Sequence, residues 1–499
     1  MTIYNLNFGI GWASSGVEYA QKYRADLMRS DNIPFKNIFL DFFSLENIQT
    51  LTENMSFQDH EIIWLYQHFT DIKIAPTTYT LNQFVNSLDT TIVNIDHLKK
   101  NKILHLKGTQ NFIRCFMKQA DEPYLDRVEY VLDGKIIRKD VFTYTKLYSE
   151  YYAPKNNKSE LYMREFFNED GSIAFTEYLE GENIYKFSDC ILYGKPAFIS
   201  YFIQSLKLSK EDIVLIDRST DLGPAILKNI RPAQVGVVVH AEHYNAPLST
   251  ENNILWNNHY EYMFHNHHLV DFFIVSTEQQ ELLLKEQFDK YYHVQPVIYT
   301  IPVGSIASLV ENHGQSYSIM TASRLASEKH IDWLIDAVVK VKAQLPELTF
   351  DIYGEGGERD ALRKRIIEHN ATHYIALKGH AKLQDIYPNY QLFLSGSTSE
   401  GFGLTLLEAV GSGLGLIGLD VNYGNPTFIR NDDNGYLLSL DLDQLSVNEI
   451  ADAYSKAIIN FFNNDITSIQ HHSHKIAEAF LEQQTLFKWK KLIKDVSHD

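Results

Sequence analysis

Cysteine is nearly absent from this 499-residue chain, which holds only Cys115 and Cys190. Two thiols exclude a disulfide-stapled fold, their separation lacks metal-ligand spacing, and neither sits in a nucleophile motif; the pair points to a reducing compartment. Cations are also in deficit, 45 Lys and Arg against 63 Asp and Glu for a net charge of −18, so a duplex-binding surface is not expected. No apolar run approaches the roughly 20 residues of a membrane-spanning helix. The opening residues carry no basic segment and run directly into a strand pattern, so no secretory signal is expected and the protein is placed inside the cell. Internal repeats and low-complexity tracts are absent as well.

What is present is a globular composition, 44% hydrophobic, in a chain too long for one hydrophobic core. A strand pattern over residues 3–8 leads through a Gly/Ser-rich loop ending at Gly16 into helical spacing over 17–30. A second strand is predicted at 35–43. The alternation then breaks over 47–206, a stretch rich in aromatic and β-branched residues. It carries the turn signals Leu132-Asp133-Gly134-Lys135 and Asn168-Glu169-Asp170-Gly171, which predict an antiparallel β-meander inserted in the first lobe. Strands resume at 213–217, 234–240 and 272–276, and 301–305 reads as a linker. A second series has strands at 318–322, 348–353, near 375 and at 391–394, with helices over 330–344 and 358–369.

This pattern predicts an α/β protein of two Rossmann-like lobes facing a cleft, each with a parallel sheet. The first comprises 1–46 and 207–303, completed by a C-terminal helix at 480–499; the insert is 47–206 and the second lobe 304–479. Phe480, Leu481, Leu486, Phe487 and Leu492 are the expected apolar contacts of the terminal helix.

The densest chemical constellation is Ser399-Glu400-Gly401-Phe402-Gly403-Leu404-Thr405-Leu406-Leu407-Glu408, between a predicted strand and an apolar helix. Gly401 and Gly403 permit close backbone approach to a ligand, and free amides at a helix start favour an anionic diphosphate. Glu408, inside the helix, can accept ribose hydroxyls; an ordinary acidic helix start is the plainer alternative. Arg324 and Lys329 follow another strand end, where two cations suit phosphate oxygens, or where Lys329 simply pairs with Glu328 in a solvated loop. Gly9-Ile10-Gly11-Trp12-Ala13-Ser14-Ser15-Gly16 is not a GxGxxG fingerprint. Its position between strand and helix nevertheless offers the amides of Gly16, Val17, Glu18 and Tyr19 to phosphate, or closes the strand onto its helix and nothing more. His240 stands at a strand's C-terminal end, where ligands of open α/β sheets bind. His265, His267 and His268 have no zinc spacing, and Asp432-Asp433-Asn434-Gly435 reads as a turn, so no essential metal is expected.

Together these segments resemble the retaining GT-B glycosyltransferases of family four. Glu400 and Glu408, with seven residues between them, and the cations Arg324 and Lys329 carry the match. The opening Tyr4-Asn5-Leu6-Asn7-Phe8-Gly9-Ile10-Gly11-Trp12-Ala13-Ser14-Ser15-Gly16-Val17-Glu18-Tyr19-Ala20-Gln21 is similar to the branch that O-glycosylates serine-rich repeat adhesins within the accessory Sec system. The resemblance spans nearly the whole chain. It implies Glu400 at the donor sugar, Glu408 at the ribose, the amides of Phe402 and Gly403 near sugar and diphosphate, and phosphate on Arg324 and Lys329. It further implies uracil against the backbone of His380 and Ala381, and His240 near the sugar. Ser323 precedes Arg324 where the family commonly has glycine. The expected activity is retaining transfer of N-acetylglucosamine, or glucose, from a UDP-sugar to Ser/Thr hydroxyls of a serine-rich adhesin, without cofactor or metal. A glycosyltransferase-like partner lacking its own catalytic pair is implied, with a cytoplasmic location and peripheral attachment at the membrane's inner face through the complex. Two alternatives stand beside it: a noncatalytic GT-B-shaped stabilising subunit, and a transferase acting on teichoic acid or another glycan.

Overall fold

Short apolar runs such as Ile213–Ile216 and Phe272–Val275 set parallel strands, because a strand covered on both faces by helices has no solvent side to alternate toward. Residues 1–11, 16–44, 46–108 and 110–497 are described by the computed structural model, and they form two compact units. The first consists of 1–237 with 262–271, the second of 238–261 with 272–499.

In the first unit, β1 (Ile3–Asn7), α1 (Gly16–Ser30), β2 (Phe35–Phe39), α2 (Ile48–Glu53) and β3 (Ile62–Trp64) begin a parallel sheet. Helix α1 buries Val17, Ala20, Gln21, Arg24, Ala25 and Met28, a stripe of helical spacing. Arg24 within it meets Asp217 at 2.8 Å, a buried pair that also holds Asn5. After α3 (Leu81–Asn86) come ten strands: β4 (Ile92–His97), β5 (Asn101–Leu106), β6 (Phe112–Met117), β7 (Leu125–Leu132), β8 (Lys135–Phe142), β9 (Lys146–Lys155), β10 (Lys158–Phe167), β11 (Ile173–Tyr178), β12 (Ile184–Lys186) and β13 (Ile191–Tyr193). They form one antiparallel meander in chain order. The turn at Asp133-Gly134 has φ of 48° and 75°, and that at Asn156-Asn157 has 50° and 61°; both are two-residue hairpins of the type that matches strand twist. Strand β6 alternates half-buried and buried residues, and its inward side chains join Phe84, Leu104, Leu125 and Phe142 in a separate core. Burial pushes the Cys115 thiol in that core up to about 12, so it holds no thiolate at neutral pH.

The chain then returns through α4 (Gly194–Ser205), β14 (Ile213–Ile216), α5 (Gly223–Asn229) and β15 (Gln234–Val239). Within this unit the parallel order is β15-β14-β1-β2-β3. The antiparallel region is therefore shorter than expected: residues 47–91 hold helices and β3, which pairs parallel with β2. Ile62-Ile63-Trp64 is an apolar run without alternation and reads equally as meander or as parallel strand. Strand β2 also stops at Phe39 rather than 43. Helix α6 (Glu261–His265) leads back into the segment 262–271.

The second unit contains the parallel pair β16 (Phe272–Val275) and β17 (Ile298–Thr300) around α7 (Glu278–Tyr292). It continues as β18 (Ser318–Ala322), α8 (Ile331–Val341), β19 (Thr349–Tyr353), α9 (Arg359–Glu368), β20 (Ile375–Gly379), β21 (Leu392–Ser395), α10 (Leu404–Gly411), β22 (Gly415–Leu419), α11 (Gly424–Phe428) and β23 (Gly435–Leu438). These six strands form a parallel sheet in the order β20-β19-β18-β21-β22-β23. Helix α12 (Val447–Phe462), started by a Ser446/Glu449 capping box, packs with α8 in a hydrophobic core of the unit, and α13 (Ile466–Ala477) follows. The expected linker at 301–305 is mostly buried, and a Cβ on Gly304 would lie 2.2 Å from the Leu404 side chain. In α14 (Glu482–Val496) the apolar face is Thr485, Trp489 and Leu492; Phe487, expected among the contacts, is 67% exposed because it falls on the opposite side of the helix. Residues 498 and 499 of the expected terminal helix lie outside the described residues. Among the described residues no helix is long and apolar enough to cross a membrane.

Candidate active site

The six-stranded sheet delivers its carboxyl ends to one edge, and the expected residues follow those ends: Ser323 and Arg324 after β18, His380 and Ala381 after β20, Glu400 after β21. Close backbone contacts bind the loops to one another. Ser323 N donates to the Tyr353 carbonyl, Gly354 N to that of Gly379, and Leu325 N to that of Glu355. A Cβ on Gly396 would lie 2.7 Å from the Lys329 carbonyl oxygen, so glycine lets the Glu400 loop rest on the Lys329–His330 backbone. His330, in the left-handed region at φ 42°, turns the chain into α8 and stacks on Trp333 with centroids 3.6 Å apart.

That turn aims Lys329 at Glu400. Lys329 Nζ donates to Glu400 Oε2 at 2.8 Å and to Ser397 Oγ at 3.1 Å, with the two charged side chains 14% and 21% exposed. The expected alternative, a Lys329–Glu328 pair, is not what forms; Glu328 instead takes Arg324 at 2.9 Å, whose side chain is 73% exposed. A partly buried ammonium and carboxylate in contact are thus preassembled, and a guanidinium stands in solvent nearby in sequence.

Past Glu400, Gly401 approaches the segment after β15 so closely that a Cβ would lie 2.5 Å from the His240 carbonyl oxygen. The backbone amides of His240 and Ala241 both donate to the Tyr260 hydroxyl. Two residues on, Glu242 lies 3.4 Å from Ser399 Oγ, and burial raises its carboxyl above the ordinary range. Phe402 is buried against Phe428 and Phe480, and Gly403 at φ 87° caps α10, whose first amides have no carbonyl within the helix to bind. Glu408 lies in α10 and accepts the Tyr387 hydroxyl at 2.9 Å. Glu400 therefore sits before the helix and Glu408 within it.

The remaining expected contacts are in the first unit. Of the glycine loop, Trp12, Ala13, Ser14 and Ser15 lie outside the described residues. Gly16 begins α1; Val17 and Glu18 are buried, Gly16 and Tyr19 exposed, and Glu18 lies 3.5 Å from Arg218. Among the described residues no group of three or more His, Cys, Asp or Glu side chains is placed to hold a metal ion. Residues whose part was not foreseen are Ser397, Glu242, Tyr387, His243 and Tyr423. His243 and Tyr423 are 180 positions apart yet hydrogen-bonded at 2.9 Å.

The same segments coincide with known proteins. Residues 307–471 match the family of group 1 glycosyl transferases, and residues 94–189, nearly the whole meander, match the GtfA extended beta-sheet domain. A UDP-N-acetylglucosamine–peptide N-acetylglucosaminyltransferase GtfA subunit of Streptococcus agalactiae is 48% identical, the alignment covering 100% of this chain and 99% of the relative. This chain belongs to the GtfA family. The crystal structure of a pneumococcal GtfA-family member, an O-GlcNAc transferase in complex with UDP and GlcNAc, superposes with a TM-score of 0.94 at 49% identity, covering 100% of this chain and 99% of that one. A GtfA/B complex gives 0.96 at 48%, with both chains covered in full. The GT-B class expected for a GtfA chain is thereby shown, with parallel sheets and an antiparallel sheet in the N-terminal region.

Proposed function

We propose that this chain transfers N-acetylglucosamine from UDP-N-acetylglucosamine to Ser/Thr hydroxyls of a polypeptide, as the catalytic subunit of a complex with a GtfB-like partner. The observation that carries this reading is the Lys329–Glu400 pair, held on Ser397 at the carboxyl edge of a parallel sheet eight positions before the helical Glu408. The GtfA relatives, named for N-acetylglucosamine transfer to peptide, favour that sugar over glucose. Glu408 is assigned to the ribose, Arg324 and Lys329 to the diphosphate, the amides of Phe402 and Gly403 to sugar and diphosphate, and the His380–Ala381 backbone to the base. Glu400 and His240 are assigned to the sugar, and Gly16 to Tyr19 to the donor's phosphates.

In this reading the anomeric carbon leaves the UDP oxygen and bonds to the acceptor oxygen on the same face. The acceptor proton passes to the departing diphosphate, whose growing charge Lys329 and Arg324 stabilise. Those two cations support transfer without metal or cofactor. The acceptor is a serine-rich adhesin, and the exposed edges and apolar side chains of the β4–β13 meander, Val93 and Tyr193 among them, suit docking of partner and acceptor. The two thiols, neither in a disulfide, support a cytoplasmic location, with attachment to the inner membrane face through the complex. The test is mass spectrometry of a serine-rich peptide incubated with a panel of UDP-sugars, with and without the partner. An N-acetylhexosamine increment from UDP-N-acetylglucosamine is expected; an increment only from another donor, or none, overturns the reading.

A further inference from the structure

We infer that His243 and Tyr423 form a positioning pair that sets the Glu400 loop for transfer. The inference rests on the reading of Glu400 as the carboxylate at the donor sugar.

The peptide of Glu400 is held between two segments. On one side Glu400 N donates to the Asn422 carbonyl at 3.2 Å, and the amides of Tyr423 and Gly424 donate to the Glu400 carbonyl at 2.6 and 2.8 Å. This contact is tight: a Cβ on Gly424 would lie 2.2 Å from the Phe402 carbonyl oxygen and 3.0 Å from Glu400 Cγ. On the other side Gly401 rests on the His240–Ala241 backbone. A side-chain bond joins the two segments, Tyr423 Oη donating to His243 Nδ1 at 2.9 Å with the rings stacked at 14°.

The pair is anchored behind. His243 Nε2 donates to Gln287 Oε1 of α7 at 2.7 Å, which leaves the proton on Nε2 and the Nδ1 lone pair for Tyr423. Gln280 of the same helix donates to the Ala241 carbonyl at 2.9 Å. His243 and Tyr423 are both fully buried. Burial pushes His243 down to about 4, so the ring stays neutral and keeps accepting at physiological pH. Loss of the Tyr423–His243 side-chain bond would loosen the two segments around Glu400 while leaving every backbone bond to Glu400 in place.

Tyr423→Phe removes one oxygen and keeps ring, stack and backbone. In the full chain with its partner, we expect turnover to fall by about 10- to 100-fold, the scale of a misplaced reacting group. UDP affinity by calorimetry should stay within about twofold and the melting temperature nearly constant. His243→Leu should match it, and the double variant should be no worse than either, since both remove one interaction. His243→Asn, whose Oδ1 can stand where Nδ1 accepts, should restore most of the turnover. Wild-type turnover in Tyr423→Phe, or a loss that follows UDP affinity and melting temperature together, overturns the inference alone. A wild-type complex that transfers no sugar from UDP-N-acetylglucosamine overturns the functional reading and this inference with it.

Discussion

Glu400→Gln isolates charge from shape. The backbone bonds of Glu400 to Asn422, Tyr423 and Gly424 do not involve its side chain, so the loop should keep its course. What is lost is the ion pair with Lys329, whose ammonium retains Ser397 Oγ at 3.1 Å. At 14% and 21% exposure the pair stands between surface pairs, worth about 0–1 kcal/mol, and fully buried ones, where removal of a partner costs about 3–5. A loss of about 1–2 kcal/mol of stability is therefore expected. Turnover should suffer more, because a preorganised charge at the reacting sugar is worth about 3–4 kcal/mol, or roughly 100- to 1,000-fold. UDP lacks the sugar, so its affinity should change by less than about threefold. Initial rates of peptide glycosylation, calorimetric UDP titration and thermal melting measure the three quantities separately. Transfer within about threefold of wild type, or a rate loss matched by an equal loss of UDP affinity, would refute the assignment of Glu400 to the sugar.

Glu408→Gln should weaken UDP binding by about tenfold, since a diol bonds a carboxylate more strongly than an amide, while turnover at saturating donor survives; unchanged titrations would contradict its ribose role. Gly401→Ala places a Cβ 2.5 Å from a backbone oxygen, so a cost of about 1–3 kcal/mol and a sharp fall in transfer are expected, and an unchanged melting temperature would count against the close approach. His243 has a depressed folded pKa, about 4 against 6.5, so the unfolded chain binds more protons between those values, and stability rises with pH across that window and is lost as the pH falls through it. The drop is about 3 kcal/mol from pH 7 to 4, and His243→Asn should lack this share of it; parallel pH–stability curves would refute the burial effect. Transfer should survive EDTA, and activity that is abolished by chelation and restored by Mg²⁺ would contradict phosphate binding by Arg324 and Lys329.

Local signals carried much of the fold. The apolar run 213–216, the Asp133-Gly134 turn and the glycines before α10 each name a conformation within a few residues, and each forms as expected. Residues 47–91 read as meander but are not, because Ile62-Ile63-Trp64 carries no periodicity to separate parallel from antiparallel pairing. Phe487 was misplaced because apolarity does not fix a helix face when Trp489 and Leu492 define another. In the site, carboxylates and cations were visible as residue types at strand ends, but their pairing was not. Lys329 reaches Glu400 rather than the adjacent Glu328 because the left-handed turn at His330 and the missing Cβ of Gly396 bring the loops together. His243 and Tyr423 carried no signal at all, since a buried histidine becomes a positioning group only through a partner 180 residues away.

The central claim, that the Ser399–Glu408 segment with Arg324 and Lys329 forms the donor site, is tested most directly by a crystal structure of the chain soaked with UDP. The account predicts the ribose hydroxyls on Glu408, the base against the His380–Ala381 backbone, and the diphosphate at Arg324, Lys329 and the first amides of α10. A UDP bound elsewhere, or one whose ribose leaves Glu408 on the Tyr387 hydroxyl without contact to the nucleotide, would contradict it.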